Sequence, residues 1–134
     1  MFYLLDTNIL IAALKGQIAV KQRLETLALD KIRLSTVVLG ELEFGAEKSA
    51  YCERNRARLT RMAQQLQLVG IDAATSRQYG LVRAHLEQQG TPIGANDTWI
   101  AAQALTINAI LVTDNVREFS RVPNLQMENW LLLQ

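Results

Sequence analysis

The sequence predicts a three-layer α/β/α sandwich with a mainly parallel central sheet, and three features carry that expectation. Short apolar runs alternate with longer stretches whose apolar residues recur at helical spacing. Two of the runs, one through Tyr3-Leu4-Leu5 and one through Ala109-Ile110-Leu111-Val112, pass abruptly into polar and acidic residues, Asp6-Thr7-Asn8 and Thr113-Asp114-Asn115. Finally, 134 residues fit one domain, 1–134, with a single core that buries roughly two thirds of the unfolded chain's surface.

Each element follows from its own residues. Phe2 to Leu5 reads as a buried strand that delivers Asp6 to its C-terminal end, with Thr7 or Asn8 placed to cap a helix that runs to Leu14 and stops at Gly16. Ile18 to Leu29 reads as a second helix, with Val20, Leu24, Leu27 and Ala28 on one face. Lys31 to Ser35 alternates as a short strand does, and Thr36 is placed as the N-cap of a helix over Val37 to Ser49. Within that helix Glu41 shares a face with Val37, Val38, Leu42 and Gly45, whereas Glu43 and Glu47 lie on another. Tyr51 to Leu66 forms a further helix, its core side made by Leu59, Met62, Ala63 and Leu66 and another side by Arg54, Arg58 and Arg61.

Leu66 to Ile71 is a brief strand, and Asp72 caps a helix from Ala73 to Gln89. Gly90-Thr91-Pro92-Ile93-Gly94 is the clearest loop in the chain. The helix over Asp97 to Thr106 carries Asp97 in its first turn, on the same side as Ile100, Ala101, Ala104 and Leu105. After the strand that ends at Thr113, a turn or short helix covers Arg117 to Phe119, and a terminal strand lies around Leu125 to Met127.

Composition narrows the function classes. Hydrophobic residues at 49% and charged residues at 20% exclude a disordered or fibrous chain. A net charge of +1 means that any nucleic-acid contact must come from a local basic patch. No apolar stretch approaches the roughly 20 residues that span a bilayer, and no secretory leader is recognisable, so a cytoplasmic location is expected with no membrane partner. Cys52 stands alone, which excludes an internal disulfide.

Under a parallel α/β fold, Asp6 and Asp114 lie at strand ends, and Asp97 and Glu41 lie early in helices that leave the same rim. Carboxylates crowded into a partly desolvated crevice repel one another unless a cation neutralises them. Oxygen-only ligands select Mg²⁺ or Mn²⁺, which can activate water and stabilise charge on a phosphoryl group. Taken singly, the same acids read as helix caps, ion-pair partners or turn formers; the joint placement favours the metal. His85 is the only histidine, so neither a two-histidine ribonuclease nor a zinc site can be assembled.

The runs Leu4-Leu5-Asp6-Thr7-Asn8, Glu41-Leu42 with Gly45, Ile93 through Ala102, and Leu111 through Phe119 together resemble the PIN domain, specifically VapC-type toxins of bacterial toxin-antitoxin pairs. The resemblance spans nearly the whole chain. It implies a metal-dependent endoribonuclease, usually a homodimer, that cuts structured RNA such as a tRNA anticodon stem-loop and is silenced by a cognate VapB-type antitoxin. Family analogy implies products with 5′-phosphate and 3′-hydroxyl ends. By position Asp6, Glu41 and Asp97 match the family's acids. Where the family often has Thr-x-Asp, this chain has Asn115, with Asp114 one place earlier, and only one of these adjacent residues is expected to reach an ion.

The expected division of labour is that Asp6 and Asp97 hold Mg²⁺ or Mn²⁺, while Glu41 and Asp114 or Asn115 help position ion and water. Thr7, Asn8 and Thr113 stand behind these acids as candidate orienting partners. Arg54, Arg58 and Arg61 are the candidate RNA contacts. Two rival readings remain open from sequence alone: a phosphohydrolase of the haloacid dehalogenase type using Asp6 as nucleophile, and a catalytically idle PIN-like binding module.

Overall fold

A computed structural model describes residues 1–132. Its elements in chain order are β1 (Tyr3–Leu5), α1 (Thr7–Leu14), α2 (Ile18–Glu25), β2 (Ile32–Ser35), α3 (Thr36–Lys48), α4 (Cys52–Gln65), β3 (Gln67–Val69), α5 (Ala73–Gln88), α6 (Ala95–Thr106), β4 (Ile110–Val112), α7 (Val116–Phe119) and β5 (Met127–Glu128). The five strands form one sheet in the order β3-β2-β1-β4-β5. Every neighbouring pair is parallel, and the helices between them supply the outer layers, as the alternating pattern requires.

β1 is the centre of this sheet, with Leu4 paired to Arg33 on one side and to Leu111 on the other. The ladder continues past the strand end, because the Asp6 N–H donates to the Val112 carbonyl at 2.8 Å. That bond fixes the backbone from which the Asp6 side chain leaves. The Thr113 N–H does the same toward the Glu128 carbonyl at 3.0 Å, so both polar strand ends are held by the sheet itself.

The core is aliphatic. Leu4, Ile9, Leu34, Val38, Ile100, Leu111 and Phe119 are completely buried, and removing such surface from water is the main term that offsets chain entropy. On α6 half of the buried residues are alanine, Ala101, Ala102 and Ala104, beside Thr98, Ile100 and Gln103, and such small side chains let a helix lie close to its neighbours.

One buried polar cluster ties three segments together. Gln103, fully buried on α6, donates through Nε2 to the carbonyls of Val69 at 3.0 Å and Gly70 at 3.2 Å. Its Oε1 accepts from the Ser35 hydroxyl, and the Ser35 oxygen in turn caps α3 by accepting from the N–H groups of Val37 and Val38. Every polar atom of this cluster is satisfied, as a low-dielectric interior demands.

Several boundaries differ from the sequence expectation. The cap of α1 is Asp6 and not Thr7 or Asn8, and the cap of α3 is Ser35 and not Thr36. In both places the last extended residue carries the capping oxygen, so the helix starts one residue earlier than the apolar periodicity indicates. α2 ends at Glu25 instead of Leu29, because the chain turns through a single 3-10 turn at Leu29–Lys31 to enter β2 beside β1. The terminal strand lies at Met127–Glu128, beyond Leu125, where pairing with Leu111 and Val112 sets the register. No helix among the described residues is long and apolar enough to cross a membrane.

Candidate active site

The acidic side chains singled out in the sequence meet at the C-terminal edge of β1 and β4. Asp6 is only 7% exposed. Its Oδ1 accepts from the Thr7 N–H at 2.8 Å, and its Oδ2 accepts from the Thr113 hydroxyl at 2.8 Å. Thr7 serves two acids, since its hydroxyl donates to Glu41 Oε1 at 2.8 Å. Glu41 arrives on the second turn of α3, and Asp97 on the first turn of α6, where Gly94 is the N-cap.

The charges are felt across this rim. Burial pushes the Asp97 carboxyl from an ordinary 3.8 up to about 6, and the nearby carboxylates of Asp6, Glu41 and Glu118 add to the effect. Asp6 is raised as well, by burial first, against the lowering influence of the Thr113 and Thr7 hydrogen bonds, with Glu41 and Asp114 pushing the same way as burial. Like charges in a desolvated place favour the protonated form. The described ion pairs are Arg23 with Glu128 and Arg83 with Glu87, so no lysine or arginine neutralises these acids among the described residues.

The end of β4 resolves into two roles. Asp114 is exposed, accepts from Asn8 Nδ2 at 3.3 Å and lies on the Asp6 side of the rim. Asn115 turns its amide nitrogen to Glu118 Oε2 at 3.1 Å, while its backbone N–H donates to the Thr113 hydroxyl at 3.0 Å. Glu118 therefore reaches the Asp97 side. It was missed as a candidate from sequence, although its place three residues beyond Asn115 on α7 was a usable signal: that spacing lets an amide and a carboxylate meet.

The arginines divide. Arg58 lines a groove of about 210 Å³ that Glu41 also lines, between α1, α3 and α4. Arg61 does not reach that groove; it lines a larger one of about 410 Å³ between α4 and the α1 and α2 helices, with Arg58 at the junction. Arg54 sits further along α4 with its guanidinium 4.4 Å from the centre of the Tyr51 ring.

The donor set suits a hard divalent cation. It is made of oxygen alone, carries excess negative charge, and includes carboxyls already disfavoured as anions. Among the described residues no three acidic, histidine or cysteine side chains stand close enough together to hold a metal ion among them. The acids instead sit near enough to feel one another's charge, with Thr7 and Thr113 holding one oxygen each of Glu41 and Asp6. The dehalogenase reading lacks its second acid: that position of the motif holds Asn8, whose Nδ2 donates to Asp114.

Two expected outcomes follow from these contacts. Thr113→Val removes a fully buried donor without changing shape, so it should destabilise the fold by about 1–2 kcal/mol in urea unfolding and raise the Asp6 carboxyl further. For Asp97 the folded-state value, about 6, lies above the ordinary 3.8, so the folded chain binds this proton more tightly than the unfolded chain. Stability contributed by that proton is present at low pH and is lost as pH rises through about 6. In EDTA, Asp97→Asn should therefore gain Tm relative to the parent between about pH 4 and 6, and the gain should level off above; a gain that shrinks over that interval contradicts the assignment.

The model of the family described as PIN domain matches residues 3–125. Ribonuclease VapC2 of Rickettsia felis is 42% identical over 132 residues, covering 97% of this chain and 98% of its own. The tRNA(fMet)-specific endonuclease VapC of Shigella flexneri is 40% identical over 128 residues, covering 96% and 97%. Among solved structures, VapBC2 from Rickettsia felis bound to a DNA fragment from its promoter aligns with a TM-score of 0.90 and 42% identity over 97% of this chain and 99% of that one. VapBC-1 from nontypeable Haemophilus influenzae aligns with a TM-score of 0.88 and 34% identity over 98% and 100%.

Proposed function

The chain belongs to the PIN-domain family, and from that premise we propose that it is the endoribonuclease toxin of a toxin-antitoxin pair, hydrolysing phosphodiester bonds in structured RNA under the control of a VapB-type antitoxin. The observation that carries this reading is the meeting of Asp6, Glu41, Asp97 and Glu118 from four separate segments at one rim, with Asp97 pushed up to about 6 and none of the four in an ion pair among the described residues. A structural role would pair such acids with cations or leave them in water. Here their burial is tolerated, which fits a site that a metal completes.

Asp6 and Asp97 would hold the ion, Mg²⁺ or Mn²⁺. Bound there, the cation would neutralise the acids and supply Lewis-acid stabilisation of charge on a phosphoryl group. The protein's own residues do the rest. Thr7 and Thr113 fix the carboxylates of Glu41 and Asp6 by hydrogen bonds, so that little reorganisation is needed when substrate arrives. Glu41 keeps its second oxygen free to orient a water, and Asp114 and the Asn115–Glu118 pair close the other side of the rim. Arg54, Arg58 and Arg61 are proposed phosphate contacts, with Arg58 nearest the acids.

A tRNA substrate is proposed because a relative 40% identical is a tRNA(fMet)-specific endonuclease. Homodimerisation and a cytoplasmic location belong to the same proposal, as does treating residues 1–134 as one nuclease domain. The test is cleavage of initiator tRNA by the purified protein, with Mg²⁺, with Mn²⁺ and with EDTA. Scission that depends on added metal and disappears when purified antitoxin is added supports the proposal. Intact tRNA under every metal condition, from protein that is folded and free of antitoxin, rejects it.

A further inference from the structure

We propose that Glu128 is a positioning residue for Asp6, acting through Thr113, and that Arg23 and Trp130 hold it in place. The inference rests on the endoribonuclease reading and adds a support, outside the acidic rim, for the carboxylate on the central strand.

The strand that carries Glu128 is the shortest in the sheet. β5 has two residues and lies at the edge, with β4 as its neighbour. Two bonds from β4 reach this segment, from the Leu111 N–H to the Gln126 carbonyl at 2.9 Å and from the Thr113 N–H to the Glu128 carbonyl at 3.0 Å. A strand below the usual length pairs too little to hold itself, yet the second of these bonds holds the peptide of Thr113. The hydroxyl of that residue, fully buried, donates to Asp6 Oδ2 at 2.8 Å and accepts from the Asn115 N–H at 3.0 Å. Whatever fixes Glu128 therefore helps fix one oxygen of Asp6.

The side chain of Glu128 supplies that fixing. Its Oε1 accepts from Arg23 Nη2 at 3.2 Å and from Trp130 Nε1 at 2.9 Å. Arg23, on α2, is itself held, because its Nη1 donates to the Thr26 hydroxyl at 3.1 Å. Its guanidinium lies 5.4 Å from the ring centre of Trp130 and 5.8 Å from that of Tyr3, and those two rings are 5.6 Å apart at a tilt of 50°. Tyr3 opens β1, the strand that leads into Asp6. The clasp thus joins α2, β1 and the segment that follows β5.

Stability alone does not account for the arrangement. The Arg23 and Glu128 side chains keep 37% and 34% of their surface in water, and ion pairs so open to solvent contribute little to folding. What the contact supplies is direction, since two donors converge on one oxygen and one of them belongs to a buried indole. A metal-binding carboxylate must be held within about 0.5 Å of its working position. A slack edge strand beside Thr113 would pass its displacement to Asp6.

The experiment is titration of the full chain with Mn²⁺, the free ion being measured by electron paramagnetic resonance, beside amide hydrogen exchange at Thr113 followed by NMR without metal. Glu128→Ala should weaken Mn²⁺ binding roughly tenfold, the lower end of what partners of metal ligands are worth, and should speed exchange at Thr113. Glu128→Gln keeps an oxygen acceptor for both donors and should retain the parental affinity. Arg23→Ala should weaken binding in the same direction, and the double variant should be no worse than Glu128→Ala. Arg83→Ala removes an ion pair of 2.9 Å on α5 and should change neither readout.

Parental Mn²⁺ affinity in a folded Glu128→Ala protein overturns the inference. So does a glutamine variant as weak as the alanine one, since charge at a distance and not the contact would then matter. Equal weakening by Arg83→Ala overturns it too, because affinity would then follow overall stability. If Glu128→Ala does not fold, Arg23→Ala, which leaves Trp130 its acceptor, is judged by the same criteria. The two readings fail separately. A parent that binds Mn²⁺ and cuts RNA, beside an equally competent Glu128→Ala protein, removes the clasp and leaves the nuclease. A parent that neither binds Mn²⁺ nor cuts RNA removes the nuclease and, with it, the role assigned to Glu128.

Discussion

Asp97→Asn and Asp6→Asn are each expected to lower single-turnover RNA cleavage at saturating Mg²⁺ by roughly a thousandfold or more, equivalent to about 4 kcal/mol of transition-state stabilisation. The amide keeps the shape and removes the charge, so the expected loss is chemical and not structural. For Asp97 the contrast should be sharp, because the variant should also be more heat-stable without metal at neutral pH: the parent spends stability on holding a half-buried carboxylate beside Asp6, Glu41 and Glu118. An inactive protein with a raised Tm is difficult to explain by misfolding. Cleavage at the parental rate by a folded Asp97→Asn protein would remove this residue from the mechanism.

The second large effect lies away from the chemistry. Gln103→Leu should destabilise the fold by about 3 kcal/mol, or roughly 10 °C in Tm, because it strands the Ser35 hydroxyl and the carbonyls of Val69 and Gly70 in or near the interior. Guanidinium unfolding measures it directly. The same variant should lose less in cleavage, once compared at a temperature where both proteins are folded, since no atom of Gln103 reaches the acidic rim. A change below about 0.5 kcal/mol would mean that water replaces the amide at no cost.

Much of this was legible in the chain. The apolar runs that end in Asp6 and Thr113 placed those residues at a common edge, because parallel pairing leaves a buried strand one polar exit. Helical spacing put Glu41 and Asp97 on inward-facing sides, and the structure brings their charges together. Asp72 caps α5 as expected, whereas at α1 and α3 the expected caps lie one or two residues late, since periodicity reports the first buried side chain and not the last extended backbone. Glu118 was hidden for a different reason: α7 is only four residues long, too short to show a period, and its direction is set by Asn115 and the sheet. Gln103 was equally opaque, because a glutamine among alanines gives no sign that it will be buried; only the meeting of β2, β3 and α6 makes it a structural member.

The alanine face of α6 has one more implication, which concerns how this protein can change over time. Ala101 and Ala104 are fully buried on the side of the helix that carries Asp97, so their small size helps set where that carboxylate stands. A methyl group gained at either position would lift the helix and carry the carboxylate with it while the protein still folded. Sequence drift can therefore disarm such a molecule through a position that no inspection of its charged residues would flag, and surveys of inactive relatives should look first at the small side chains beneath the acids.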